Sequence, residues 1–562
     1  MQLLEHFNEL SLHPKNAKEL KGLILQLAVE GKLTVNWRNE NPVIQSGIEL
    51  LNTLFKNEIF LNKNDSPIHL PESWGLSILD SISEINGGFA FKSSKYVDQG
   101  VRVIRISDFD EFGFKNHRVV RYQYDNSLKQ YELEKNNIIM AMTGGTVGKS
   151  LFITEIVEKM VVNQRVATIK IKEGILSNYI NCVLQTSNIQ EVIAEAKNST
   201  NDNISMRDIK NFNIPIPPLE EQKAIVEVVN QLFAEVDQLE NLTKDRIHLK
   251  EDFVTSALKQ LSSGDTSTEW LILKEHFSTF FTEKSNIKKL RESILQLAVQ
   301  GKLTSDWRKL NPDIEDASVL LERIKKEKEQ LVKEKKIKKE NPLPKISDEE
   351  IPYELPEGWV WCRMQSLFKD LRYGTSKKCD YGLGEHPVLR IPNIKNGGID
   401  ISDLKTTNLS KNEVKDLSLK VDDLLMIRSN GSENLVGRSS VVSTIGIGSA
   451  FAGYLMRLQI FKNDIESKYL QITLDSPMLR KSIEGPLRTT SGVKNINSTE
   501  VSSLFIPLAP KEEQKVIVEK VSSLMALCDE LEAAIELSKT TQEKWMESSL
   551  REVFENEREL QN

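Results

Sequence analysis

Across residues 20–33 the apolar side chains Leu20, Leu23, Ile24, Leu27 and Ala28 recur in steps of one, three and four. That spacing predicts a helix with one face on a core. Gly31, and Gly301 in a matching run, stand where such helices should end. Longer stripes follow. Beyond Pro218, Ile225, Val229, Leu232, Val236 and Leu239 alternate four- and three-residue steps. Ile517, Val521, Leu524, Cys528, Leu531 and Ile535 repeat the pattern. This is the heptad seam of a coiled coil. Each helix should run about 40 residues, or about 60 Å. Two seams of matching register predict an antiparallel intramolecular pair, because either stripe alone would face water. Two separate core helices are the alternative. Elsewhere the period changes. Residues 101–106, 138–142, 166–171 and 424–427 are short β-rich runs between Gly/Asn turns. Ser205-x-x-Asp208 and Asn497-x-x-Glu500 have capping-box spacing. Proline-bounded exits follow at 214–218 and 506–510. Residues 322–345 read as a solvated Lys/Glu helix, with a basic DNA-clamping arm as the alternative.

The pattern occurs twice. Residues 20–42 read LKGLILQLAVEGKLTVNWRNENP and residues 290–312 read LRESILQLAVQGKLTSDWRKLNP. The same offset matches Leu3, His6 and Phe7 to Leu273, His276 and Phe277. Leu70-Pro71-Glu72-x-Trp74 returns as Leu355-Pro356-Glu357-x-Trp359. Pro218-x-Glu220-Glu221-Gln222-Lys223 returns as Pro510-x-Glu512-Glu513-Gln514-Lys515. The chain is therefore two copies of one unit of about 280 residues, an internal repeat that sets the architecture. Residues 75–200 and 360–490 are far less alike, so two similar frames carry two dissimilar α+β inserts.

Composition narrows the class. The 562 residues are 39% hydrophobic and 28% charged, which supports real cores. No apolar run is long enough to span a membrane, and the first residues do not read as a secretory signal. Cys182, Cys362, Cys379 and Cys528 form no CxxC, so neither a zinc knuckle nor a disulfide framework is expected. A cytoplasmic protein is the expectation. The net charge of −7 seems to disfavour nucleic acid. Residues 70–215, however, balance 17 basic against 17 acidic side chains, and residues 355–510 carry 20 against 16. The acidic excess lies outside both inserts, and clustered cations on either could meet DNA.

Enzyme signatures fail. Gly144-Gly-Thr-Val-Gly148-Lys149-Ser150 is one residue short of a phosphate-binding loop, and a strand-like run follows instead of a helix. Pro312-Asp313 followed by Glu334-Lys335-Lys336 mimics a nuclease pattern, as chance allows in a Lys/Glu-rich segment. The seven histidines show no metal spacing, and no methyltransferase-type tetrad is present. The residues point to binding, with no catalytic site, no metal site and no cofactor. Two unlike domains on rigid helices suit a ligand with two features at a fixed separation, as DNA has. A coiled-coil scaffold joining two proteins without touching DNA is the rival reading, and a nuclease fused to recognition domains a third.

Taken together, the duplicated Leu-Pro-Glu-x-Trp, Pro-x-Glu-Glu-Gln and LQLAV-x-GKL blocks resemble the specificity subunit of Type I restriction–modification systems. Asn86-Gly-Gly-Phe-Ala-Phe91 and the loop 431–438 add to the likeness, which covers essentially the whole chain. The resemblance implies two α+β target-recognition domains separated by long antiparallel coiled-coil helices, with an internal pseudo-twofold repeat. It divides the chain into an N-terminal helical region (1–69), a first recognition domain (70–215), a central region with a spacer helix (216–354), a second recognition domain (355–510) and a C-terminal spacer helix (511–562). It implies double-stranded DNA as ligand, each domain reading half of a bipartite target. Two methyltransferase subunits and restriction, or motor, subunits would be the partners. S-adenosylmethionine and ATP would be used by those partners.

Phosphate contacts need Lys or Arg, and base readout needs Arg, Lys, Asn, Gln or Thr. On that basis the candidate DNA contacts are Lys92, Lys95, Arg105, Arg118, Arg121, Thr143 and Lys149 in the first domain. In the second they are Arg372, Lys377, Lys378, Asn393, Arg428, Asn430 and Arg438. Solvated surface charge is the alternative for each. Trp74 and Trp359 read as core anchors, and Trp37-Arg38 and Trp307-Arg308 as packing or partner contacts.

Overall fold

The computed structural model describes residues 16–42, 45–55, 61, 68–196, 202–263, 268–395, 398–485, 488–490 and 493–559. Leu3, His6 and Phe7 of the repeat lie outside them. The chain folds as two units. One comprises the described parts of Met1–Ile247 and Lys544–Asn562, the other those of His248–Glu543.

In the first unit a frame helix, Asn16–Val29, stops at Gly31, whose φ of 71° is left-handed. A short helix, Val35–Glu40, follows. The first long helix, Leu219–Ser263, has 45 residues, about 68 Å. Its seam residues Ile225, Val229 and Val236 share one core with Ile24 and Ala28 of the frame helix. Lys21 and Asp237 pair at 2.5 Å across these two elements.

The second unit repeats this plan. Its frame helix, Lys284–Val299, leads to Gly301 at φ 66° and a short helix, Ser305–Leu310. The second long helix, Lys511–Glu559, has 49 residues. Ile517, Val521, Cys528 and Ile535 lie in one core with Ile287, Ile294 and Ala298. Val254, Ala257 and Leu258, from the far end of the first long helix, join the same core. Arg291 pairs with Asp529, and Lys284 with Glu536, each at 2.6 Å. Each seam thus finds cover on its own frame helix, a partner that heptad spacing alone does not announce. The charged stretch 322–345 is helical only at its start: Ala317–Lys333 is a helix that buries Ala317, Leu320 and Ile324, and no regular helix continues through Asn341.

Each insert is clasped at its ends by an antiparallel strand pair. Gly75–Ile78 runs against Asn213–Ile216, and Val360–Arg363 against Phe505–Leu508. Inside, the unlike sequences build the same antiparallel sheet. Its strands are ordered Ser83–Gly87, Val166–Ile171, Ile138–Ala141, Ser150–Phe152 in the first domain. In the second they are Phe368–Tyr373, Leu455–Ile460, Leu424–Ile427, Ser439–Val441. The central strands IIMA and LLMI are wholly buried, and such positions accept different apolar residues at little cost. Each domain adds one parallel pair, Met160–Val162 with Val101–Ile104 and His386–Leu389 with Ala450–Phe451. Gly88 and Gly374 hold equivalent close approaches. A Cβ there would lie 2.3 Å from the Asn163 carbonyl oxygen or 2.2 Å from that of Phe451. The domains diverge at the periphery. Among the described residues, only the second carries a three-stranded ribbon, of 429–430, 493–495 and 488–490.

Candidate nucleic-acid interface

The repeated motifs meet at one joint in each unit. The third residue of the first long helix, Glu221, is fully buried. Its carboxylate accepts from Thr34 Oγ1 at 2.8 Å, Arg38 Nε at 2.9 Å and Trp74 Nε1 at 2.9 Å. Arg38 also donates to the Gly31 carbonyl. Glu513 in the second unit takes Thr304 Oγ1 at 2.6 Å, Arg308 Nη1 and Trp359 Nε1 at 2.8 Å. Gln222 and Gln514 extend the joint: their side-chain oxygens accept from the backbone N–H of Leu176 and Glu466, and their amides donate to Pro217 and Ala509. An isolated buried carboxylate would cost several kcal/mol. Here its donors come from the frame and from the tryptophan that opens the insert. The place of Trp74, Trp359, Arg38 and Arg308 in the protein is therefore structural. Trp37 and Trp307 remain half-exposed.

Each core sheet ends in a junction of four loops. In the first domain Gln164 N–H donates to Phe89, Met142 N–H to Arg165, Ile204 N–H to Met142 and Gly144 N–H to Asp202. Loops 89–95, 143–149, 163–165 and 202–204 are thereby gathered. In the second, Gly453 N–H donates to Thr375, Arg428 N–H to Tyr454 and Ile496 N–H to Arg428. The bonds of Met142 correspond to those of Arg428, which makes Arg165 and Tyr454 equivalent positions. Both are exposed. Sequence reading passed over them, although each stands directly before the strand that centres its sheet.

The sequence-selected residues fall into three groups. Lys92, Lys95, Arg118 and Lys378 are exposed; the first three have no side-chain partner among the described residues, and Lys378 lies within the field of the Asp380 carboxylate. Thr143 sits at the first junction with its hydroxyl buried and unpartnered. A second group is exposed or half-exposed but engaged. Arg105 grips Asp108 with two bonds of 2.8 Å, which raise the pKa of its guanidinium. Arg121 meets Glu158 at 2.7 Å, Lys149 meets Glu111 at 3.6 Å and Arg372 meets Asp416 at 2.8 Å. Lys377 meets Glu413 at 2.8 Å and, with the Ser410 N–H, pulls that carboxyl down to about 2. Arg428 lies 4.6 Å from the centre of the Tyr373 ring, and Arg438 faces Asp475 at 3.4 Å. Asn430 accepts from Ser432 N–H at 2.8 Å. Asn393 stands apart. It is 1% exposed. Its amide donates to the carbonyls of Asp400 and Asp403, and its oxygen accepts from Arg390 N–H. An asparagine enclosed in its own turn presents nothing to a groove, so this choice is corrected by burial.

The loop at 144–150 is a short 3-10 turn, Gly144–Thr146, followed by the strand Ser150–Phe152, not the helix a phosphate loop requires. Among the described residues no group of three or more His, Cys, Asp or Glu could hold a metal ion, and no helix is long and apolar enough to cross a membrane.

Comparison with known proteins joins these observations. The family model described as the Type I restriction modification DNA specificity domain matches residues 71–249 and 356–538. The specificity subunit of the Type I restriction enzyme EcoAI from Escherichia coli is 29% identical, covering 93% of this chain and 92% of its own. That of EcoEI, also from Escherichia coli, is 26% identical over 93% and 92%. A solved chain from work on complex assembly of the type I R-M system aligns at 15% identity and a TM-score of 0.47, over 87% of this chain and 99% of its own. With two tandem matches that follow the duplicated frame, the chain belongs to the Type I restriction–modification specificity-subunit family.

Proposed function

We propose that this chain is the non-catalytic, DNA-reading subunit of a Type I restriction–modification complex, in which each recognition domain reads one half of a bipartite target. The long helices set the gap between the halves and, with the frames, seat two methyltransferase subunits. Motor subunits join for restriction, and methyl transfer and ATP-driven cleavage belong to those partners. The cytoplasm is the compartment this role requires. The observation that carries the reading is the duplication itself: two family domains, alike in core sheet and unlike in peripheral loops, each fixed to its own long helix by the same joint. A scaffold without DNA binding would have no use for unlike loops on like frames.

Within this reading the four-loop junction is the base-facing edge of each domain. Lys92, Lys95, Thr143 and Arg165 serve in the first, and Lys377, Lys378, Arg428, Asn430 and Tyr454 in the second. Arg118 supplies a further exposed cation on the same domain. Arg105, Arg121, Lys149, Arg372 and Arg438 reach phosphate by releasing or sharing their carboxylate partners. The test is binding to random duplex DNA and to the genomic target, with and without the methyltransferase subunits. Sequence-specific retention by the assembled complex supports the reading, and an assembled complex that ignores DNA contradicts it.

A further inference from the structure

We propose that Glu221 and Glu513 are positioning residues that set the angle at which each recognition domain leaves its long helix, and so determine how strictly the gap between half-sites is measured. The inference rests on the bipartite reading above. It starts from where the two carboxylates sit. Each is the third residue of a long helix, in the first turn, where negative charge is favoured. Each binds the opening tryptophan of its domain through Oε2, and the frame threonine and arginine through Oε1. The helix, the frame and the domain therefore meet at one side chain.

The packing around the joint leaves little play. A Cβ on Gly31 would lie 2.6 Å from Pro71 Cγ, and one on Gly301 2.7 Å from Pro356 Cγ. The proline before each tryptophan thus rests on the end of the frame helix. Gln222 and Gln514 bind the backbone where the domain's own helices Ser177–Leu184 and Ser467–Asp475 begin. Tyr179 and Tyr469 close the far side, donating to the carbonyls of Pro215 and Pro507. A helix whose first turn is held by a buried, charge-assisted network has a fixed bearing relative to the sheet beside it. No base contact is involved, so losing one bond of this network should change the geometry of readout and leave its base preference intact.

The test uses the full chain assembled with its methyltransferase subunits. Trp359→Phe keeps an aromatic ring in the core, removes the N–H donated to Glu513 and leaves a small void where the larger indole packs beside Gly301. Glu513→Gln keeps the volume and removes the charge. Trp74→Phe and Glu221→Gln do the same in the first unit. The wild-type target is first fixed by methylome sequencing. Binding is then measured on duplexes whose gap is one base pair shorter, unchanged or one base pair longer. The wild type should prefer its own gap; if it shows no bipartite target at all, the functional reading itself fails. The proposal expects each variant to retain both half-site sequences while the preference for the native gap falls by about tenfold, the scale of one hydrogen bond to a charged group. A general loss of stability would weaken all three duplexes alike. If the phenylalanine variants assemble and their gap preference equals that of the wild type, the joint is structural only and the proposal is overturned.

Discussion

At the scale of single residues, burial separates what chemistry alone groups together. Asn393 and Lys378 are both plausible base readers by type, yet one is enclosed by its own turn and the other is exposed. Asn393→Ala should destabilise the protein by about 1–3 kcal/mol, through the carbonyls it leaves unpaired, with the target sequence unchanged. Thermal denaturation and methylome sequencing check the two halves. Lys92→Ala and Lys95→Ala should instead weaken binding to all sequences and reduce the salt slope by about one each. Titration over several salt concentrations measures this. Glu413 gives a pH expectation. Its carboxyl is held at about 2, below the usual 4.5, by Lys377 and the Ser410 N–H. The depressed value means its contribution is present above 4.5 and disappears as pH falls through about 2. Carbon-detected NMR of labelled Glu413 should show it still ionised at pH 4; a midpoint in the ordinary glutamate range would show that the ion pair does not persist in solution. What could not be read from the sequence was which cations already have partners, because Arg105 with Asp108 and Arg121 with Glu158 are contacts of folding, one local and one across the domain.

At the scale of elements, the long helices were the most legible part. Ile225, Val229, Ile517 and Val521 announce themselves by spacing, and all four are buried. The capping boxes at Ser205 and Asn497 were equally plain, and both form. The cover of the seam was not legible. Heptad spacing states that a stripe needs a partner; it does not say that Ile24 and Ala28, or Ile294 and Ala298, supply part of it. Nor did the sequence disclose that the dissimilar inserts share a core sheet, since buried strands constrain volume and polarity more than identity. Leu232→Pro should break the first long helix at about 3 kcal/mol or more and abolish recognition of the bipartite site in a methylation assay. A seven-residue insertion restores the stripe almost fully, because two turns take about 7.2 residues. Made in both long helices, it should lengthen the recognised gap by about three base pairs, from about 10 Å of added helix.

At the scale of the whole molecule, the duplication is the fact from which the rest follows. Two frames with the same joint, Thr34–Arg38–Trp74 on Glu221 and Thr304–Arg308–Trp359 on Glu513, hold two domains with the same core and different edges. Binding by the assembled complex should fall steeply with salt, since phosphate contacts release counterions; an affinity flat from low to moderate salt would remove phosphate contact as the main term. The claim that matters most is that each domain reads its own half-site. Replacing residues 70–215 with the corresponding segment of a family member of different specificity, and sequencing the methylome of cells that carry the assembled complex, tests it directly. The account predicts a new first half-site, with the second half-site and the gap retained; a methylome in which both half-sites change, or neither does in a folded and active complex, would contradict it.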